Sequence, residues 1–481
     1  MPLGLYISIP FCRTKCSYCN FASGVSSKSA YENYVARLLE DIANLRQLAA
    51  GLGCTYDDTA DSIYLGGGTP SILESAQLQR IFAAVRGEFA VTPDAEITLE
   101  CAPGTLTPAL IATLLQCGVN RVSLGVQSFV DQEAQAVGRL HKRATVLEEL
   151  DRLREAGLAN ISIDLIAGLP HQTVDSWAFS LSETIATAVP HASVYMLEVD
   201  EDSRLGRELI AGGARYHAHF VPDDDATADF YQQACETLAS AGMAQYEISN
   251  FARTPLHSKN GELQSNKSRH NLKYWTRQPY LGFGVDAHSM LRVVERRASS
   301  RACPERSRRV QAERNSAVAT GHGNSEFSIG GIETFPHQAV RFATPDSLDA
   351  YMNRVPHTVT PVSAQAAIEE SFFLGLRLNR GIDLERLRTE SRFWEGHDFS
   401  RPVNATGMAA LAAGATRVSR QEFTPVATWE SAIQQCLRDG LLEQQGSTLR
   451  LTARGRLLSN EVFARFLAGE TQVGTGHVKP R

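Results

Sequence analysis

Residues 9–21 read IPFCRTKCSYCNF and place Cys12, Cys16 and Cys19 in the spacing C-x3-C-x2-C. The other six of the nine cysteines stand singly along the chain, which argues against a disulfide framework. A structural zinc site takes four ligands, commonly from paired motifs, and no second pair follows. A [4Fe-4S] cluster held by three cysteines leaves one iron open for a substrate or cofactor. The spacing therefore favours a [4Fe-4S] cluster over zinc.

The cysteine loop follows the first of six strand-like runs that alternate with helix-period segments. The predicted strands are Leu5–Ile9, Asp61–Leu65, Glu96–Glu100, Arg121–Val126, Asn160–Ile166 and Ser193–Leu197. The predicted helices include Tyr31–Ala50, Ser75–Arg86, Pro108–Gln116, Ala144–Ala156 and Val174–Ala188. Repeated strand and helix indicate an α/β protein with a parallel sheet, either a partial (β/α) barrel or a doubly wound sheet.

Polar and glycine-rich residues stand where these predicted strands end. They are the turn GGGTP at 66–70, Glu100, Gln127 with Ser128, and Asp164. Each alone also fits a turn glycine or a hydrogen-bonded polar residue. The carboxyl ends of parallel barrel strands meet at one mouth, where active sites are built. Together these residues favour a partial (β/α)6 TIM-like barrel with a site at its mouth.

The overall composition limits the kinds of partner. The chain has 481 residues, 47 Lys+Arg against 53 Asp+Glu, and a net charge of -6, which argues against a nucleic-acid partner. It has no apolar run long enough for a membrane span, and its first residues do not resemble a secretory signal. We expect a cytoplasmic protein with at most peripheral membrane contact.

The chain divides into segments of different character. We predict a barrel core at 1–253, an insertion at 254–268, a segment completing the barrel at 269–295, a polar Arg-rich insertion at 296–330, a winged-helix-like C-terminal domain at 340–468 and a tail at 469–481. The winged-helix prediction depends on a helix, a turn, two short strands around Gln445-Gly446-Ser447, and a final apolar helix. The sequence assigns no role to either insertion.

C-x3-C-x2-C with an aromatic residue before the last cysteine resembles the radical SAM superfamily. The resemblance implies that the open iron binds S-adenosylmethionine (SAM), and that Cys12, Cys16 and Cys19 bind the cluster. A glycine turn lets the backbone approach the cofactor closely, carboxylates suit ammonium and ribose groups, and a guanidinium suits a carboxylate. Matching positions imply SAM contacts from Tyr6, Tyr18, Gly67, Gly68, Thr69, Glu100, Gln127, Arg139 and Asp164.

Further motifs narrow the resemblance. The stretches YLGGGTPS, ECAPGTLT, NRVSLGVQSF, GRLH and SIDLIAGLPHQT are similar to the oxygen-independent coproporphyrinogen III oxidase-like family over roughly 3–253, 268–292 and 340–468. The oxidases carry a further cysteine two residues after the third ligand, where this chain has Phe21. HNLKYW at 270–275 resembles the heme-binding motif of the HemW-type heme chaperone branch. That motif implies heme binding by His270, Tyr274 and Trp275, with His288 as a weaker second candidate.

The resemblance implies a heme chaperone that binds heme and delivers it to apo-hemoproteins of the respiratory membrane. Its cofactors would be a [4Fe-4S] cluster, SAM and heme, and its further partner a flavodoxin- or ferredoxin-like electron donor. One alternative is an oxygen-independent coproporphyrinogen III oxidase, which decarboxylates propionates to vinyl groups. Another is a winged-helix nucleic-acid-binding regulator. The resemblance favours the chaperone, leaves enzyme activity open and assigns no catalytic residue. On the residues alone, a buried hydrogen-bonded histidine is the favoured interpretation of His270, and the family resemblance reverses that preference.

Overall fold

A computed structural model describes residues 1–254, 265–293, 339–395 and 427–467. The predicted Arg-rich insertion at 296–330 and the tail at 469–481 lie outside the described residues, as do residues 255–264 of the first insertion. Within the described part of the chain, no helix combines the length and the apolar character that crossing a membrane requires.

The strands and helices alternate through the first half of the chain. The strands are β1 (Leu3–Ile9), β2 (Thr59–Gly67), β3 (Ala90–Cys101), β4 (Arg121–Gln127), β5 (Ile161–Ala167), β6 (His191–Met196), β7 (Met243–Gln245), β8 (Asn250–Arg253), β9 (Tyr280–Phe283), β10 (His288–Arg292), β11 (Ala339–Ala343), β12 (Thr358–Val362), β13 (Ile382–Asp383), β14 (Leu442–Gln445) and β15 (Thr448–Leu451). The helices are α1 (Lys28–Gly51), α2 (Ser75–Glu88), α3 (Pro108–Gln116), α4 (Asp131–Ala136), α5 (Arg143–Glu155), α6 (Val174–Ala186), α7 (Arg204–Ala211), α8 (Asp224–Ser240), α9 (Arg269–Trp275), α10 (Leu348–Met352), α11 (Ala364–Gly375), α12 (Leu384–Glu395), α13 (Ala427–Arg438), α14 (Ala453–Leu457) and α15 (Ser459–Ala464).

Strands β1 to β6 are parallel and lie side by side in chain order. This order has no reversal point, so the sheet winds as a barrel does and not as a doubly wound sheet does. The six predicted strands and five predicted helices are confirmed. Strand β9 adds in parallel on the other side of β1, and β8 pairs antiparallel with β6.

Side chains of the parallel strands alternate between an apolar and a polar face. Ile7, Leu65 and Leu99 form one register row and are fully buried among the apolar side chains of the covering helices. The opposite face of the same sheet carries Glu100 and Asp164. Strands buried on both faces are usually apolar throughout, so this alternation indicates that the polar face lines a site.

The C-terminal module has its own apolar core, in which the rings of Phe372 and Phe466 stack at 4.5 Å. Its order of α11, β13, α12, α13, β14 and β15, with a sheet ordered β13-β15-β14, is that of a winged helix. Strand β11 pairs with β10 and β12 pairs with β11, so both strands extend the large sheet, although the predicted module began at residue 340. The module therefore begins near α11 and not at residue 340.

Candidate functional site

The cysteine loop at the carboxyl end of β1 is held by hydrogen bonds from three segments. The amide of Cys12 donates to the Gly24 carbonyl at 2.9 Å, and the amide of Ser17 donates to the Val137 carbonyl at 3.1 Å. The amide of Leu205, in the first turn of α7, donates to the Ser17 carbonyl at 2.9 Å. All three predicted cluster cysteines are unpaired and partly accessible. Their backbone is therefore fixed while their thiols stay reachable.

Arg139 faces all three cysteines. Burial opposes its charge, but Tyr18 and the thiols of Cys16, Cys12 and Cys19 raise the pKa of Arg139 overall. A Cβ added at Gly125 would lie 2.9 Å from an Arg139 guanidinium nitrogen, so this side chain extends across β4. Its buried Nε has no hydrogen-bond partner among the described residues. A buried donor without a partner suits an anionic group bound beside the cysteines.

The described residues contain no three histidine, cysteine or acidic side chains close enough to hold a single metal ion. Each cysteine of an iron-sulfur cluster binds a different iron, so a cluster does not require such convergence. The donor set here is three thiols facing a buried guanidinium. That chemistry fits a cluster whose open iron carries a carboxylate-bearing ligand.

The glycine turn after β2 lies directly against the start of the cysteine loop. The amides of Gly68 and Thr69 donate to the carbonyls of Ile9 and Phe11 at 2.8 and 2.7 Å. A Cβ added at Gly68 would lie 2.6 Å from the Phe11 oxygen, closer than real Cβ contacts allow. The Thr69 hydroxyl donates to Cys12 Sγ at 3.6 Å. Glycine is therefore required here by the close approach of two backbone segments.

Glu100 lies under this turn at the end of β3. Its Oε1 accepts from the Tyr64 hydroxyl at 2.8 Å and its Oε2 accepts from the Gly67 amide at 3.1 Å. Burial raises the pKa of Glu100 to about 7, although both hydrogen bonds favour the carboxylate. The carboxyl group is thus partly buried, oriented by two hydrogen bonds and close to its titration point at neutral pH.

Asp164 and Gln127 extend the polar face toward β5. The Ser123 hydroxyl donates to both Asp164 carboxylate oxygens, at 3.0 and 2.9 Å. Burial raises the pKa of Asp164, against the effect of its serine donors. Gln127 is buried at the end of β4 with φ 67, a left-handed backbone conformation that non-glycine residues rarely adopt. At the same place, the pairing of β4 with β5 shifts register between Gly125 and Gln127.

The two tyrosines predicted to contact SAM, Tyr6 and Tyr18, lie in different surroundings. Tyr6 stacks on Tyr64 with ring centroids 6.1 Å apart, so it lies on the polar face beside Glu100. Tyr18, between two cysteines, packs with the apolar cluster of Val137, Ile166 and Leu169. Burial raises the pKa of Tyr18, so its hydroxyl stays neutral.

Sequence reasoning missed Tyr64 and Ser123, which orient the two carboxylates. Both could have been found from period-two alternation, because Tyr64 is two residues before Gly66 and Ser123 is on the polar face of β4. His141, two residues after Arg139, is bonded through Nε2 to the Val126 carbonyl at 3.1 Å. Burial and Arg139 lower the pKa of His141 to about 4, so it stays neutral and supports the strand end.

His270 lies at the opposite end of the polar face. The amide of His270 donates to Glu96 Oε1 at 3.2 Å, and its ring nitrogens are bonded to the Ser62 hydroxyl at 3.1 Å and the Tyr274 hydroxyl at 2.9 Å. The residue is 1% exposed, and burial, with a smaller contribution from Lys273, lowers the pKa of His270 to about 3. Iron ligation by His270 stays a prediction, and it requires one of these ring bonds to open.

The other predicted heme contacts surround this histidine without forming an open surface. Tyr274 packs edge-on against both His270 and Tyr280, with centroids at 5.1 and 4.6 Å. The Arg377 guanidinium lies 4.3 Å from the Trp275 ring centroid. His288, at the start of β10, has a 46% exposed side chain and lies 3.7 Å from Asp286. The three motif residues therefore lie together, and His288 is separate and accessible.

Known proteins match this chain over nearly its whole length. Residues 6–181 match the sequence profile of the radical SAM superfamily. Heme chaperone HemW of Lactococcus lactis is 32% identical over 466 residues, which cover 97% of this chain and 97% of that protein. The chain belongs to the HemW family of radical SAM proteins. The HemW of Bacillus subtilis is 28% identical over 96% of this chain and 98% of its own length.

A solved structure of coproporphyrinogen III oxidase (HemN) from Escherichia coli shares the fold. The TM-score is 0.66 at 20% identity, covering 97% of this chain and 90% of that one. The predicted α/β fold similar to a radical SAM barrel is therefore confirmed. Membership of the superfamily implies a [4Fe-4S] cluster and SAM as cofactors.

Proposed function

We propose that this protein is a heme chaperone, which binds heme and delivers it to apo-hemoproteins, the respiratory ones first among them. The observation that carries the proposal is the match to HemW chaperones along 97% of both chains. Phe21 supports it, because the oxidases of the wider family have a cysteine at that position. We also place the protein in the cytoplasm, since its eight described cysteines are all unpaired.

We assign the cluster to Cys12, Cys16 and Cys19. Arg139 would bind the SAM carboxylate, because its guanidinium faces the thiols and its buried Nε lacks a partner among described residues. Gly67 and Gly68 would form the turn that borders the methionine end of SAM, and Glu100 would accept from its ammonium group. When bound to a reduced cluster, SAM supplies radical chemistry.

Other side chains would complete the SAM site. Asp164 and Gln127 would bind the ribose hydroxyls, and Tyr6, Tyr18 and Thr69 would shape the walls. A flavodoxin- or ferredoxin-like protein would supply the electron. These roles follow from matching motif positions and from the shared polar face of β1 to β5.

Heme binding by His270, Tyr274 and Trp275 stays a prediction. The three residues are adjacent, but His270 has both ring nitrogens bonded within the barrel. Heme iron could bind this imidazole only after the bond to Ser62 or the bond to Tyr274 opens. A structural role for His270 requires neither bond to open.

The test is anaerobic titration of the full chain with ferric heme, followed at the Soret band. We expect saturation near one heme per chain and a spectrum distinct from that of free heme. Absence of saturable binding would overturn the proposed function. Conversion of coproporphyrinogen III with SAM consumption over many turnovers, in the presence of a reductant, would support the oxidase alternative instead.

A further inference from the structure

Three histidines surround one exposed phenylalanine beside the carboxyl ends of the strands. His171 follows β5, His219 lies in the 3-10 turn Ala218–Phe220, and His217 is the N-cap of that turn. Nε2 of His171 lies 3.1 Å from Nδ1 of His217. The rings of His171 and His219 each lie 4.1 Å from the Phe220 ring. None of these residues has a role in the SAM site proposed above.

The two segments that carry this cluster are fixed to each other. The amide of His171 donates to the Phe220 carbonyl at 3.0 Å, and the amide of Phe220 donates to the His217 carbonyl at 2.9 Å. The Glu208 carboxylate on α7 accepts from the amides of Tyr216 and Ala218. His171 and His217 have φ 68 and φ 61, which is uncommon for residues other than glycine. The surrounding bonds therefore hold both imidazoles in one arrangement despite unfavourable backbone geometry.

The hydrogen bond between the imidazoles determines which nitrogen can bind a metal. A neutral histidine carries one N–H and one lone pair, so one ring must donate and the other accept. If His217 donates its Nδ1–H to His171, its Nε2 keeps the lone pair. That Nε2 makes no hydrogen bond within the described chain. Histidines that bind metals usually donate their other N–H to a partner in this way.

The surroundings of His217 also suit a porphyrin. Phe220 is 47% exposed, and Leu209 and Ile210 on α7 are 54% and 67% exposed. Helix α7 borders the 3-10 turn through Glu208, and Leu209 and Ile210 are exposed on that same helix. Arg215, two residues before His217, is an exposed cation that suits a propionate. An imidazole suits the heme iron, an exposed aromatic ring suits the porphyrin face, and a cation suits a propionate.

We propose that Nε2 of His217 is an axial ligand of heme iron at this surface, with Phe220 against the porphyrin and His171 as the positioning residue. The inference rests on the proposed heme-chaperone function and names where the cargo is held. This imidazole can be reached without breaking the bonds that enclose His270. The site also adjoins the cysteine loop, because α7 donates to Ser17 and Leu169 packs with Tyr18.

The experiment is titration of the full chain with ferric heme, comparing single variants by affinity and by absorption spectrum. His217→Gly keeps the left-handed backbone and should lower heme affinity at least tenfold, and added free imidazole should restore the spectrum. His171→Ala should weaken binding about 10–100-fold, as loss of a ligand's hydrogen-bond partner does. His171→Gln retains an acceptor and should recover most of that loss. His219→Ala, the matched control on the same turn, should stay within twofold of wild type.

Iron content and circular dichroism equal to wild type would show that each variant is folded. Unchanged heme affinity and spectrum in folded His217→Gly would overturn the site while leaving the proposed function intact. The same holds if His270→Ala or His219→Ala removes the imidazole spectrum and His217→Gly does not. Failure of the wild-type chain to bind heme would instead overturn the proposed function itself.

Discussion

The amide of Gly67 donates a hydrogen bond to Glu100 Oε2 at 3.1 Å, which connects the glycine turn to a partly buried carboxyl group. Burial raises the pKa of Glu100 from 4.5 to about 7. The folded chain therefore binds more protons than the unfolded chain between these two values. Stability contributed by this group is present below the unfolded pKa and is lost as pH rises through the folded pKa.

This relationship predicts the effect of Glu100→Gln. A neutral amide can accept from Gly67 and donate to the Tyr64 oxygen, so the variant should lose the pH dependence of this site. Relative to wild type it should become more stable between about pH 5 and pH 8, by on the order of 3 kcal/mol at most. Thermal unfolding across this pH range, without SAM, measures the difference. A constant difference at every pH would contradict the raised pKa.

Replacement of any cluster cysteine should remove the cluster. After anaerobic reconstitution we expect about four irons per wild-type chain, and little iron in Cys12→Ala, Cys16→Ala or Cys19→Ala. Cys101→Ala is the matched control, because this buried thiol donates to the Leu99 carbonyl at 3.8 Å and should not bind iron. Iron retained in the first three variants, measured by elemental analysis, would refute the cluster assignment.

Gly68→Ala should disturb the contact between the glycine turn and the cysteine loop. Its Cβ would meet two backbone oxygens at 2.6 and 2.8 Å, which should cost about 1–3 kcal/mol and weaken SAM binding. Gly87→Ala is the control, because nothing lies within 4 Å of its Cβ on α2. That change should stabilise the helix by about 0.5–1 kcal/mol. Equal unfolding free energies for the two variants would contradict the close packing at Gly68.

Tyr274→Phe tests whether His270 is structural. The change removes the hydroxyl bonded to His270 Nε2 at 2.9 Å and leaves a buried nitrogen without this partner. We expect the free energy of unfolding to fall by about 1–3 kcal/mol, with heme affinity within twofold of wild type. Chemical denaturation and heme titration give the two values. A several-fold gain in heme affinity would instead identify His270 as the ligand that Tyr274 blocks.

Much of the fold could be predicted because local patterns agree with it. Strand-end polar residues and helix-period segments marked six βα units, and the cysteine spacing marked the cluster loop. The strands β11 and β12 were missed because each is only five residues long. They pair antiparallel, β11 with β10 and β12 with β11, and so they fall outside the repeated βα pattern. The stretch TVTPV at Thr358–Val362, with four β-branched residues, was the available signal for β12.

Contacts between distant segments could not be predicted from the sequence. The bond between His171 and His217 joins residues 46 positions apart, and no spacing rule connects them. The hydrogen bond between His270 and Ser62 could not be predicted either, since Ser62 is 208 positions away. A motif identifies which residues share a segment, whereas tertiary packing determines which of their atoms remain available to a ligand.

The central claim is that this chain carries heme to an acceptor, and transfer kinetics test it most directly. The heme-loaded full chain would be mixed with increasing concentrations of a heme-free b-type cytochrome, and the cytochrome spectrum followed in time. Delivery by direct contact predicts a transfer rate that rises with acceptor concentration. A rate that is independent of acceptor concentration, and equal to heme dissociation from the chain, would contradict the account.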